Sequence, residues 1–166
     1  MSDELIIFAE EDSNDSDSLA NTSNARPWKV LVVDDDKDVH EATKFGLKGL
    51  VFLNQPLELI HAYSASEATA ILSAESNIAV ILLDVVMETE HAGLELIKVI
   101  RDDLQLHNTR IILRTGQPGY APEIEVILKY DINDYKNKAD LTRTRLYTTV
   151  TAAIRSFSEI TAIDTS

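Results

Sequence analysis

Four short segments that read as strands in this chain lead into residues able to do chemistry. Lys29 to Val33 leads into Asp34-Asp35-Asp36, and Ile78 to Leu83 leads into Asp84. Arg110 to Leu113 is followed by Arg114-Thr115-Gly116, and Ile132 to Tyr135 by Lys136-Asn137-Lys138. Carboxylates about 4 Å apart repel by roughly 4 kcal/mol per pair at an effective dielectric near 20, so acids brought together require a cation. A ligand set made only of oxygen favours Mg²⁺ over zinc or copper. With a hydroxyl and an ammonium added, the set suits phosphoryl transfer to a carboxylate. The metal and the lysine neutralise phosphoryl oxygens, the hydroxyl hydrogen-bonds one, and the lone Asp84 attacks. Taken alone, Asp34 to Asp38 reads equally well as a solvated turn before a helix, because acids favour helix N-termini. Asp84, closing a second strand, shifts the balance towards a site.

The elements that must position these residues alternate in type. Short Val/Ile-rich runs predict strands at Lys29–Val33, about Leu57–Ala62, Ile78–Leu83, Arg110–Leu113 and Ile132–Tyr135. The second follows an apolar, proline-containing connection from Leu50 to Pro56. Helical spacing predicts helices near His40–Lys48, Ala65–Ser73, Leu94–Leu104, Pro122–Tyr130 and Leu141–Ile160. Ser64 with Glu67 forms a capping box for the second helix, and Pro122 suits the first turn of the fourth. An unbroken run such as Ile78 to Leu83 predicts a strand buried on both faces, hence a parallel sheet covered by helices. In such a doubly wound α/β fold, ligands bind beyond the carboxyl ends of the strands, where the acids, Thr115 and Lys138 fall.

Composition narrows the classes. The 166 residues carry 15 Lys+Arg against 28 Asp+Glu, a net charge of −13, and no cysteine. Thiolate nucleophiles, disulfides and Cys-ligated metals are excluded. The charge repels nucleic acid and anionic lipid, so neither is expected as a partner. No run approaches the ~20 apolar residues that span a bilayer and no signal peptide opens the chain, which predicts a cytoplasmic protein. Residues 1–27 read as an acidic, disordered tail, with Asp3, Glu4, Glu10, Glu11, Asp12, Asp15 and Asp17 against Arg26. Its one apolar interruption, Leu5-Ile6-Ile7-Phe8-Ala9, is either a sticky stretch or one that docks on a groove or sheet edge. Residues 28–160 form the domain, and 161–166 a C-terminal tail or cut linker.

Val32-Val33-Asp34-Asp35, Leu83-Asp84 with Met87 three residues on, Thr115 and Lys138, in that order on those strands, resemble the receiver domain of two-component response regulators. The resemblance covers about Trp28 to Phe157. It implies a flavodoxin/CheY-like sheet of five parallel strands in order 2-1-3-4-5, flanked by five helices. It further implies that Asp84 accepts a phosphoryl group from a sensor histidine kinase. Asp34, Asp35, Asp84 and the backbone carbonyl of Val86 would hold Mg²⁺. Lys138 would pair with phosphoryl oxygens, Thr115 would move towards them, and Tyr135 would report the switch on the face formed by the fourth and last helices and the fifth strand. Gly116, at a position commonly small, keeps the site open to a donor. Val86 offers no polar atom to orient water, which predicts slow loss of the phosphoryl group, faster in Val86→Asn. Beyond its own phosphoryl transfer and this slow dephosphorylation, no enzyme activity is expected. The phrases Asp84-Val85-Val86-Met87-Glu88-Thr89, Arg114-Thr115-Gly116-Gln117-Pro118-Gly119 and Tyr130 to Lys136 are similar to receivers at the front of multidomain bacterial regulators with a cyclic-dinucleotide-type or other signalling output.

Departures from the family pattern sit in the loops. Ala139 stands where a cis-proline usually follows the lysine, and a non-proline cis bond costs about 2.5–4 kcal/mol. Glu88 replaces a proline after Met87, and the stretch to Gly93 is one residue longer, so Glu88, Glu90 and His91 line an altered rim. Three other readings compete. A haloacid-dehalogenase-type phosphatase would use Asp34 as nucleophile and Asp36 as acid/base, but the late acidic pair and a cap domain are missing. A calcium loop fails because Val39 and Phe45 stand where Gly and a bidentate Glu are needed. A receiver-shaped docking module would need no phosphate. His40, His61, His91 and His107 show no ligand spacing and read as core or surface residues, although His91 falls near Asp84. Tyr120 reads equally as partner contact or lid. Leu146, Val150, Ala153, Ile154 and Phe157 make one apolar stripe on the last helix. That helix points towards an output domain or effector, with a homodimer through it as one option.

Overall fold

The computed structural model describes residues 26–85, 87, 91–116, 124–138 and 142–165. Its elements are β1 (Trp28–Val33), α1 (Lys37–Gly46), β2 (Val51–Phe52), β3 (Gln55–Ala62), α2 (Ala65–Ala74), β4 (Ile78–Asp84), α3 (Ala92–Lys98), β5 (Arg110–Thr115), α4 (Ile124–Lys129), β6 (Asp134–Asn137) and α5 (Arg143–Thr165). The sheet order is β2-β3-β1-β4-β5-β6. The five strands from β3 to β6 are parallel, in the expected order.

The additional strand is β2, which pairs antiparallel with the start of β3. It lies in the Leu50–Pro56 connection, where a two-residue turn joins the strands. Both turn residues, Leu53 (φ 52°) and Asn54 (φ 63°), are left-handed, the conformation of a type I′ hairpin turn. Trp28 secures the hairpin: its Nε1 donates to the Phe52 carbonyl at 2.8 Å, and its ring meets Phe157 of α5 edge-on.

Every residue of β4 is buried, as the unbroken apolar run demands for a strand between two parallel neighbours. Alternate residues feed two cores. Leu31, Val33, Ile81 and Leu83 pack with α2 and α3, whereas Val30, Val32, Val80 and Leu82 pack with Leu146, Val150, Ile154 and Phe157 of α5. The stripe expected on the last helix is therefore buried against the sheet. The helix continues to Thr165, so positions 161–165, expected as tail, are helical. The Ser64 cap forms as expected, its hydroxyl accepting from Glu67 N, while the Glu67 carboxylate accepts from Tyr63 N.

Several element ends are shifted from expectation, and two of the shifts have a visible local cause. The last strand begins at Asp134 instead of Ile132, because Asp131 turns the chain at φ 53° and Asn133 caps the ladder, its Oδ1 accepting from Ile111 N. The helix expected at Leu94–Leu104 starts at Ala92 and widens into a π-turn over Val99–Asp103. That turn presents Arg101, 4% exposed, to the carbonyls of Tyr130, Leu106, Thr109 and Asp131. One guanidinium thus ties the loop before β5 to the loop before β6.

Candidate functional site

The site gathers at the carboxyl edge of β1, β4 and β5, where strand geometry brings side chains from separate segments together. Asp34 is fully buried after β1, and its Oδ1 accepts from Asp36 N at 2.9 Å. Asp35 is exposed beside it. Asp84, 4% exposed, closes β4. Asp34, Asp35 and Asp84 each present a carboxylate oxygen within 4.8 Å of the others. Lys138 follows β6 and reaches back over the strand ends, with Nζ 2.8 Å from Asp34 Oδ2 and 3.3 Å from Asp84 Oδ2. Burial opposes the lysine's charge, but attraction to Asp34 and then Asp84 outweighs it and holds the pKa above its ordinary value. Among the described residues the buried Asp34 Oδ2 has this ammonium and no other donor, which leaves it with acceptor capacity. Three hard oxygen ligands, one of them short of a donor, fit a divalent cation of the Mg²⁺ type.

Thr115 ends β5, buried, in register with Asn137. Gly116 follows it. A Cβ there would lie 3.6 Å from Lys138 Cδ, ordinary contact, so the small residue leaves room without being sterically required. Tyr135 pairs with Leu113 in the ladder and packs partly buried against the core under α2 and α3. The Val86 carbonyl, Glu88, Glu90, Tyr120 and the Lys138–Ala139 bond lie outside the described residues, as does the acidic segment up to residue 25. Asp36 is not part of the acidic cluster: its side chain caps α1 by accepting from Asp38 N.

Three further features surround the site without a signal in local sequence. Arg114, 3% exposed and opposite Asp84 in the ladder, donates through Nη1 to Thr43 of α1 and has, among the described residues, no partner for Nε or Nη2. Burial lowers its pKa, opposed by Asp34 and Asp84. His40, buried in α1, lies 2.7 Å from the Asp34 carbonyl through Nε2 and 2.7 Å from His61 Nδ1 through Nδ1. The carbonyl can only accept, so with both rings neutral His40 carries its proton on Nε2 and His61 donates from Nδ1. Gly93 of α3 packs on the end of β4, where a Cβ would run into the Asp84 carbonyl and stand 2.7 Å from the Val85 carbonyl.

An acidic cluster of two buried carboxylates and one exposed, a lysine spanning it and a hydroxyl on the next strand, all on one edge of this sheet, make up a site of the response-regulator receiver type. Residues 30–151 match the response regulator receiver domain model, and the chain belongs to that family. A relative from Vibrio cholerae, 3′3′-cGAMP-specific phosphodiesterase 2, is 48% identical over 138 residues, covering 83% of this chain and 26% of the relative. The chain thus spans about a quarter of that protein's length. A CheY-like receiver from Methanospirillum hungatei JF-1 superposes with a TM-score of 0.63 at 26% identity, over 79% of this chain and 97% of that one. The receiver domain of an HD domain-containing protein from Pseudomonas fluorescens Pf-5 superposes with 0.65 at 20% identity, over 81% and 99%. Among the described residues, no helix is long and apolar enough to cross a membrane.

Proposed function

We propose that this receiver accepts a phosphoryl group on Asp84 from the phosphohistidine of a sensor kinase. The carrying observation is that Asp84 lies within 3.3 Å of the Lys138 ammonium and within one ion's reach of Asp34 and Asp35. A carboxylate oxygen of Asp84 bonds to phosphorus as the phosphorus–nitrogen bond breaks. The imidazole nitrogen leaves with the electron pair and takes a proton from water. Mg²⁺ held by Asp34, Asp35 and Asp84 supplies charge neutralisation, and Lys138 pairs with the same phosphoryl group. The added charge, about −2, biases Thr115 and Tyr135 and so changes the surface offered to an output domain or effector. The only catalysis proposed is of this transfer and of slow loss of the group.

The likeness to a cyclic-dinucleotide phosphodiesterase supports an output of that kind, attached to or bound by this domain. Exposure to a small phosphodonor with Mg²⁺ tests the reading by mass. Stoichiometric labelling that vanishes in Asp35→Ala is expected. Normal labelling in that variant discards the metal assignment, and no labelling of the parent chain leaves a phosphate-independent docking module.

A further inference from the structure

Between α1 and the β2–β3 hairpin runs a groove of about 540 Å³, lined by Phe45, Leu47, Leu50, Val51, Pro56 and Leu57 and bordered by Lys44 and Lys48. Phe45 and Val51 are 64% and 57% exposed, a concentration of apolar surface that marks an interaction site. Both lysines are exposed and neither has an ion pair among the described residues. Glu41 also lines the groove, and Arg143 lies over the Phe45 ring, so with Lys44 and Lys48 this face carries three cations to one carboxylate in a chain whose net charge is −13.

One segment of the same chain complements the groove in both respects. Leu5-Ile6-Ile7-Phe8-Ala9 is apolar, preceded by Asp3 and Glu4 and followed by Glu10, Glu11 and Asp12. We infer that this segment docks in the groove of its own chain, its apolar side chains on Phe45, Leu50 and Val51 and its flanking acids against Lys44 and Lys48. The chain enters the sheet beside the groove: Trp28 pairs with Leu57 and bonds to Phe52 of the hairpin. The 17 residues between Ala9 and Pro27 span up to about 55 Å when extended and roughly 23 Å as a flexible coil, ample for a return to the adjacent groove. Tethering at that length raises the effective concentration to about the millimolar range, so a weak contact suffices. The docked segment covers the outer side of α1, the helix that leaves the acidic loop.

The absence of cysteine allows a nitroxide to be placed on a single Ser2→Cys site in the full chain. Amide relaxation then reads where the tail spends its time. The expected result is selective loss of amide intensity at Lys44, Lys48 and Val51, abolished by Ile7→Asp with Phe8→Asp and reduced by Lys44→Glu with Lys48→Glu or by added salt. Both tail substitutions lie outside the folded core, so they leave the domain intact. Uniform broadening, or groove broadening that survives the tail substitutions, overturns the inference. Mixing spin-labelled chains with isotope-labelled unspinned ones separates the sources, and broadening that appears fully in that mixture assigns the groove to a second copy and overturns docking within one chain.

Discussion

Lys138→Met tests the electrostatic logic of the acidic cluster. At 2.8 and 3.3 Å from Asp34 and Asp84, the ammonium gains a gross attraction of about 6 and 5 kcal/mol at an effective dielectric near 20. Desolvation cancels much of this, and the side chain keeps 24% of its exposure, so the net loss on substitution is about 2–3 kcal/mol. For a domain of this size that lowers the metal-free Tm by about 6–12 °C. The same substitution removes the cation that competes with the metal. Mg²⁺ should therefore bind about tenfold more tightly, a change of about 1.4 kcal/mol, and Mg²⁺ should raise the Tm of the variant more than that of the parent. Thermal melts and a Mg²⁺ titration followed by Trp28 fluorescence or calorimetry measure both quantities. Lower stability with unchanged or weaker Mg²⁺ binding would refute the idea that lysine and metal share these carboxylates.

Other perturbations follow from named contacts. Gly93→Ala places a Cβ 2.7 Å from the Val85 carbonyl, so α3 must lift off the end of β4, at about 1–3 kcal/mol in a denaturant titration. Arg101→Met leaves the carbonyls of Tyr130, Thr109 and Asp131 without their donor and should cost about 3 kcal/mol or more in the same assay. His61 has its pKa lowered by burial, then by His40 and Lys44. The unfolded chain therefore binds its proton first, so stability contributed by the neutral ring is lost as pH falls below 6.5. The pH dependence in that window should be shallower in His61→Gln, and identical profiles would remove the assignment.

Much of the candidate site was legible because its residues fall within three positions of the ends of strand-like runs. Val30 to Val33 and Ile78 to Leu83 are strands whatever surrounds them, and the residue after a parallel strand must emerge at the ligand edge. That argument reached Asp34, Asp84, Thr115 and Lys138. It failed where partners are chosen through space. Val51-Phe52 is too short to show alternation, so β2 was hidden in a connection. Ile132 is apolar enough to extend the last strand, but a left-handed turn at Asp131 and the Asn133 cap decide where the ladder starts. His40 and His61 stand 21 residues apart, and only the parallel pairing of β1 with β3 brings them together. Nothing local marks Arg101 or Arg114 as buried, since the carbonyls around the one and the acids near the other are brought in by the fold. Gly93 carries no signal, since its need for hydrogen in place of Cβ arises from the approach of β4.

The central claim is that the carboxylate of residue 84 becomes an acyl phosphate. Phosphorylation by a small donor in Mg²⁺, reduction of the product with borohydride and peptide mass spectrometry locates the modified residue directly. The mark should fall on Asp84 alone, require Mg²⁺ and disappear in Asp84→Asn. A mark on Asp34, or one on Asp84 that forms equally well with Mg²⁺ removed, would contradict the account.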